Sequence, residues 1–242
     1  MRKILLSLAV ITALLGAPGT AAAQTVDEIV AKNFKAKGGD KWKSTQSMRL
    51  TARINIQGME LPMTIVSKRP NFMRQDMTFQ DVSIVQAYDG ATGWTINPMM
   101  GSNDATELPA AVADSLREQA DFDGPLVDYK AKGNAVELVG DEALNGTKVH
   151  HLKLTRKDGK TTHYYLDAAT GVEMKVISET DLGTGPMKIE TELSNYQTVD
   201  GILVPMAIRQ SAPTGPVSIT IDKVEFNVAL DDALFKMPGK EQ

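Results

Sequence analysis

The sequence predicts a mainly β fold, one large and strongly curved antiparallel sheet with flanking helices. Three observations carry this. Apolar residues recur at every second position through most of the chain, turn signals separate those runs, and only two stretches have helical spacing. A flat sheet of about a dozen strands is unusual, so strong curvature is expected.

The elements follow in order. Thr25 to Lys37 reads as a helix, capped by Thr25 with Glu28 three residues on, bearing Val26, Ile29, Val30, Ala31 and Phe34 on one face and stopped by Gly38-Gly39. Trp42 is expected to dock that helix on the next layer. From Gln46 the period becomes two. Met48, Leu50, Ala52, Ile54 and Ile56 alternate with polar residues, Gln57-Gly58 turns the chain, and Met59, Leu61, Met63 and Ile65 alternate again. Pro62 predicts an edge or a bulge there. Asn71–Phe79, Val82–Asp89 and Gly93–Asn97 read as three more strands.

The pattern then breaks. Pro98 to Thr106 reads as a loop and Leu108 to Phe122 as a helix. Strands resume at Leu126–Lys132, Ala135–Asp141, Thr147–Arg156, Lys160–Asp167, Val172–Asp181, Met187–Val199, Ile202–Ser211 and Val217–Val228, and Asp232 to Met237 reads as a terminal turn. No linker or repeat divides them, so residues 24–242 are expected to form one domain. Two helices are too few to cover the apolar face of so wide a curved sheet. The surplus predicts a binding cavity, against the alternative of a sheet folded on itself as a packed sandwich.

The N-terminus predicts export. Arg2 and Lys3 precede an apolar run from Ile4 to Leu15, then Gly16, Pro18 and Gly19, and Ala21-Ala22-Ala23 suits signal peptidase cleavage before Gln24. Residues 1–23 are therefore expected to be a signal peptide and the mature protein to be periplasmic. No further segment is apolar enough to span a bilayer, so an integral membrane protein is not expected. Cleavage removes 23 of 242 residues, leaving 219, and takes the formal charge from −4 to −6. An acidic chain without a dense basic run argues against nucleic acid as partner. The absence of cysteine excludes disulfides, thiol catalysis and thiolate metal sites, as well as acylation at a lipoprotein cysteine. Twelve methionines against six phenylalanines suit a surface that fits variable apolar shapes, or ordinary core filling.

Catalytic residues are thinly supplied. His150 and His151 are neighbours in a strand and point to opposite faces, with His163 able to lie across a hairpin from one of them. There is no His-Glu-x-x-His helix, no phosphate loop and no Gly-x-Ser-x-Gly elbow. Asp76, Asp81 and Asp89 lie on separate strand and turn positions. Neither enzyme activity nor a cofactor or metal is expected.

Two local motifs stand out. Lys68-Arg69-Pro70-Asn71-Phe72-Met73-Arg74 ends one strand and begins another, with Arg69 at a rim where its donors reach backbone carbonyls. Tyr88-Asp89-Gly90, followed by Gly93-Trp94 and Asn97-Pro98, is a hairpin with an aromatic just inside. In element order and in these motifs the chain resembles the LolA/LolB-like family of periplasmic lipoprotein carriers and localisation factors, from the first helix to about Pro98. Tyr164-Tyr165-Leu166-Asp167 with Thr170-Gly171 is similar to the wider superfamily. The resemblance implies an open, unclosed β-barrel whose helices form a lid over an apolar cavity for acyl chains. It implies that Arg69 holds the lid through loop carbonyls. Met73 stands where the carrier has a cavity-mouth aromatic. The chain is longer than the carrier and lacks the acylated cysteine of the membrane-bound receptor.

The expected function is a periplasmic binding protein for acyl chains, lipid or lipoprotein. The alternative is an envelope sensor-regulator or assembly module that binds a protein segment with the same apolar face. Met48, Leu50, Ile54, Met63, Ile65, Met73, Met77, Trp94 and Ile96 are expected to face one apolar concavity. Pro98–Thr106 and the helix after it are expected to form a movable lid, with Met99 and Met100 tucked into the cavity mouth. Replacing Arg69 by leucine is expected to alter ligand uptake and leave folding largely intact.

Overall fold

The computed structural model describes residues 24–181, 185–213 and 215–239. The expected signal peptide lies outside them. Helix α1 (Val26–Lys37) and the short α2 (Asp40–Ser44) precede five strands: β1 (Ser47–Ile56), β2 (Met59–Lys68), β3 (Phe72–Phe79), β4 (Val82–Asp89) and β5 (Gly93–Asn97). Next come β6 (Ser102–Glu107) and α3 (Ala110–Gln119). The remaining strands are β7 (Ala135–Leu144), β8 (Thr147–Thr155), β9 (Thr161–Asp167), β10 (Glu173–Asp181), β11 (Pro186–Val199), β12 (Ile202–Ala212) and β13 (Gly215–Phe226).

The strands form one 13-stranded sheet in the order β6-β5-β4-β3-β2-β1-β13-β12-β11-β10-β9-β8-β7. Each hairpin neighbour pairs antiparallel, and the sheet's centre is made by its first and last strands, with Met48 opposite Phe226 and Ile56 opposite Val217. β6 and β7 are the two free edges, so the sheet is open. Register shifts leave Asp222, Val139 and Met174 as extra residues against β1, β8 and β9. Such bulges bend a strand and increase its twist, which supplies the curvature that a sheet of this width requires.

The helices cover the concave face at two places. α1 begins as read from the sequence: the Glu28 amide donates to Thr25 Oγ1 at 3.3 Å and the Thr25 amide to Glu28 Oε2 at 2.8 Å. Its Ile29 and Val30 pack with Leu126, Tyr129, Leu152, Leu154, Tyr164 and Leu166 over β8 and β9. Polar bonds fix its position, from Asn33 Nδ2 to the Gly171 carbonyl at 2.9 Å and from Lys32 Nζ to the Ala168 carbonyl at 2.7 Å. Gly171 has φ +81°, and a Cβ there would lie 2.9 Å from Lys32 Cγ, so the Ala169-Thr170-Gly171 turn needs glycine for conformation and for close approach. α3 lies across the other wing. Leu116 and Ala120 pack on Met73 and Tyr88, and α3 touches β4, β5 and also β10, so it bridges the two wings.

The close seat of α3 depends on Gly93, where a Cβ would meet Ala113 Cα and Cβ at 3.1 Å. Gly93→Val should push the helix off β5. The expected result is faster amide exchange through residues 108–119 with the exchange of β1 unchanged, and equal protection of 108–119 in both proteins would show that this contact does not hold the helix.

Two segments differ from the sequence expectation. Pro98–Thr106 is a hairpin rather than a loop: a 3-10 turn at Pro98–Met100 and Gly101 in the left-handed region lead into β6, which pairs with β5. The edge strand is polar, which protects it from aggregation and also hides it from an apolar period-two reading. Leu126–Lys132 is not a strand. Leu126 and Tyr129 are both buried at a spacing of three, in a series of turns packed under α1. Pro62 lies within the interior strand β2, but the β2–β3 ladder begins only at Met63, so no second ladder requires the missing N–H.

Candidate functional site: a half-covered concave face

Residues paired across a ladder share a face, so the register assigns the wall. Ala52 pairs with Met63, Met63 with Met77, Leu50 with Ile65, and Met73 with Tyr88. On the other side of β1, Ile54 pairs with Ile219 and Ile219 with Ile208. Met48, Leu50, Ile54, Met63, Ile65, Met73 and Met77 are therefore brought together on the concave face. The wall continues through residues that sequence reading did not single out, Met206, Ile208, Ile219 and Ile221. Their period-two signal was visible, but the pairing of the first strand with the last was not. Met63 and Met73 are buried, while Leu50, Ile54, Ile65, Met77, Ile208 and Ile219 are only half-buried although they face inward. α1 and α3 take the two ends of the concavity and leave this stretch partly uncovered.

Beside it, beneath the C-terminal half of α3, lies a cavity of about 400 Å³ floored by β9 to β12. That volume falls within the range of small-molecule sites. Its floor is continuous with the apolar wall, because Gln210 and Ile208 are two residues apart on β12 and Thr191 and Leu193 two apart on β11.

Arg69 sits at the rim. It donates from Nε to the Thr45 carbonyl at 2.6 Å and from Nη2 to the Trp42 carbonyl at 3.2 Å, and it grips both carboxylate oxygens of Asp123 at 2.5 and 2.6 Å. Its guanidinium also lies 4.6 Å from the Phe122 ring centre, and Phe122 stacks on Trp42 at 5.1 Å. The segment after α3 is thereby tied to the entrance of β1. The paired arginine holds the Asp123 carboxyl below its ordinary range, against the opposing effect of burial. Asp123 was not legible as Arg69's partner, since no motif marks it beyond the helix stop at Gly124-Pro125. A second tie joins Glu118 of α3 to Arg156 at 2.8 Å and Lys160 at 3.0 Å.

Four expected wall and lid residues lie elsewhere. Trp94 pairs with Ala87, which alternates with the inward Tyr88, so Trp94 and Ile96 are on the outer face. There Trp94 is fully buried with Val85 and Ala87, and its Nε1 donates to the Phe235 carbonyl at 2.7 Å. The segment from Val228 to Met237 covers this outer patch, and its apolar residues draw Trp94 outward. Met99 and Met100 are not tucked into the cavity mouth. They are 60% and 82% exposed at the tip of the β5–β6 hairpin.

The histidines divide as their adjacency requires. His150 faces inward, bonded to Asp141 at 2.6 Å and Gln24 at 3.0 Å. His151 faces outward, bonded to Glu142 at 2.6 Å and to His163 across the hairpin at 2.7 Å. Burial, followed by the charge of His151, lowers the His163 pKa. Among the described residues there is no group of three or more such side chains able to hold a metal, and no helix long and apolar enough to cross a membrane.

No protein family matches the chain by sequence, and no curated protein matches it. Solved structures do. A DUF1329 family protein from Desulfovibrio piger is 16% identical with a TM-score of 0.61, over 87% of this chain and 97% of that one. A putative outer membrane lipoprotein-sorting protein domain from Vibrio parahaemolyticus is 15% identical with a TM-score of 0.59, over 86% and 94%. A LolA superfamily protein from Nitrosomonas europaea is 13% identical with a TM-score of 0.61, over 88% and 98%. At these identities the likeness is one of architecture, and the chain has the LolA-like fold, an antiparallel sheet curled into an unclosed barrel around its helices.

Proposed function

We propose that the protein is a periplasmic binding protein for acyl chains or a similar amphiphile, of the lipid or lipoprotein carrier type. Residues 1–23 serve as its cleaved leader and 24–242 as its single working domain. The observation that carries this is the inward-facing yet half-buried apolar wall of Leu50, Ile54, Ile65, Met77, Ile208 and Ile219. A single-domain core normally buries such residues completely. Each methylene placed against the wall contributes roughly 0.8 kcal/mol, so an acyl chain binds there without any charged site. The flexible Met63, Met73 and Met77 adapt the wall to chains of different length. α3 is the gate, held closed by the Arg69–Asp123 and Glu118–Arg156 ties. The reading is one of binding, because what the wall presents is aliphatic and methionine surface. The Vibrio protein named for lipoprotein sorting has the same architecture, which agrees with this reading.

Titration with a fluorescent fatty acid tests it. Ile208→Glu puts an unpaired carboxylate on the wall and should weaken binding by about tenfold or more. Val139→Glu, at an exposed bulge position, should bind as the parent does. Matched melting curves guard against misfolding. Equal affinity of the parent and Ile208→Glu would remove the concave wall from the function.

A further inference from the structure

We infer that the cavity beneath α3 is a headgroup subsite that takes a neutral, acceptor-rich polar head of esters and hydroxyls, such as an acylglycerol presents. This rests on the carrier reading above and adds the polarity and direction of the bound molecule. The concave face changes character along its length. Over β1, β2 and β13 it is aliphatic, whereas over β9 to β12 polar side chains enter among the inward positions, beside Tyr164, Val176 and Ile189. Thr162 pairs directly with Ser178, and Thr191 pairs directly with Gln210. All four line the same cavity, facing Gln119 of α3 and Arg156.

Inward polar residues are costly in a barrel that holds only hydrocarbon, because each loses water without gaining a partner. Here Gln210 Nε2 donates to Thr191 Oγ1 at 3.5 Å, but one buried donor has no partner: Arg156 Nε makes no hydrogen bond, although the same guanidinium pairs with Glu118 through Nη1. The hydroxyl and amide groups of the floor can donate to a ligand as well as accept from it. The charged residues lining the cavity are Arg156, Glu118 and Glu179, and Glu118 is already shared between Arg156 and Lys160. A site with no surplus of positive charge and with a spare donor favours an uncharged head that carries acceptors over a carboxylate or a phosphate. The tail then runs from Gln210 toward Ile208 and Met206, along β12 into the methionine wall. Acyl-ester chemistry of this kind occurs both in free lipids and in the lipid moiety attached to a protein.

The test uses chain-matched probes and the mature protein. Affinities for monopalmitoylglycerol and palmitate are measured in the parent and in the double variant Ser178→Ala, Thr191→Val, with melting curves recorded for both. The parent should prefer monopalmitoylglycerol by about tenfold, the worth of one or two hydrogen bonds. In the variant the ratio should fall toward one. A diacylglyceryl-modified peptide should compete with monopalmitoylglycerol if the source is protein-attached lipid, and a peptide that fails to compete assigns the subsite to free lipid. Equal affinities in the parent, or a preference that survives in the folded variant, overturn the headgroup subsite and leave the carrier reading standing. Failure of both probes to bind overturns the carrier reading, and this inference with it.

Discussion

Arg69→Leu should lower stability and loosen the segment that follows α3. This guanidinium donates four hydrogen bonds, two to backbone carbonyls and two to Asp123, and its 18% side-chain exposure leaves little water to replace them. Removing one partner of a fully buried ion pair costs about 3–5 kcal/mol. Asp123 retains 25% exposure, so a loss of about 2 kcal/mol is expected, read as a shift in the denaturation midpoint. The fold is still expected to form, with this added stability cost, because the arginine binds a carboxylate as well as carbonyls. Amide exchange through residues 108–122 should quicken in the variant, and in the parent it should slow when lipid is added. The tie should also respond to acid. Since the Asp123 pKa is depressed in the folded protein, its contribution is complete above the ordinary carboxylate value near about 3.9 and is lost as pH falls through the lower folded value. Between pH 5 and 8 the parent and the variant should therefore differ by a constant amount, and the difference should shrink below about pH 4. Exchange that is unaltered by Arg69→Leu and by lipid would make α3 a fixed part of the core.

Trp94→Ala should have the larger effect on stability, about 3–5 kcal/mol, with little effect on ligand affinity. The indole is completely buried against Val85, Ala87 and Met237, and it satisfies the Phe235 carbonyl, which the substitution would leave buried and unpaired. Because this side chain lies on the outer face, beneath the chain's last segment, the folded fraction should still bind an acyl probe as the parent does. Unchanged stability with lost binding would return Trp94 to the concave wall, where sequence reading had put it.

The difference between those two residues shows how far the sequence reaches. Period-two alternation is a strong local signal, so most of the strands, the face shared by Met48, Leu50, Ile54, Met63 and Ile65, and the capped first helix were readable. Alternation sets the relative sides of residues within one strand but does not say which side is inner once the chain has turned. For β5 that was decided by the segment near Phe235, about 140 residues away in sequence, as the Trp94–Phe235 bond spans. The edge strand β6 was hidden by its polar composition, and the 126–132 segment was misread because a run with Leu126, Val127 and Tyr129 suits a strand as well as a set of packed turns. Arg69 was legible through its motif. Asp123 and the polar floor of the cavity were not, since both depend on segments far apart in sequence that only the curled sheet brings together.

Native mass spectrometry of the protein purified from the cells that make it, without detergent, tests the central claim most directly. The expected spectrum contains the chain starting at Gln24 together with a heavier species carrying an extractable acyl amphiphile. That species should be diminished in Ile208→Glu and retained in Val139→Glu. A spectrum of the empty chain alone, or of a stoichiometric complex with a protein and no lipid, would contradict the carrier account.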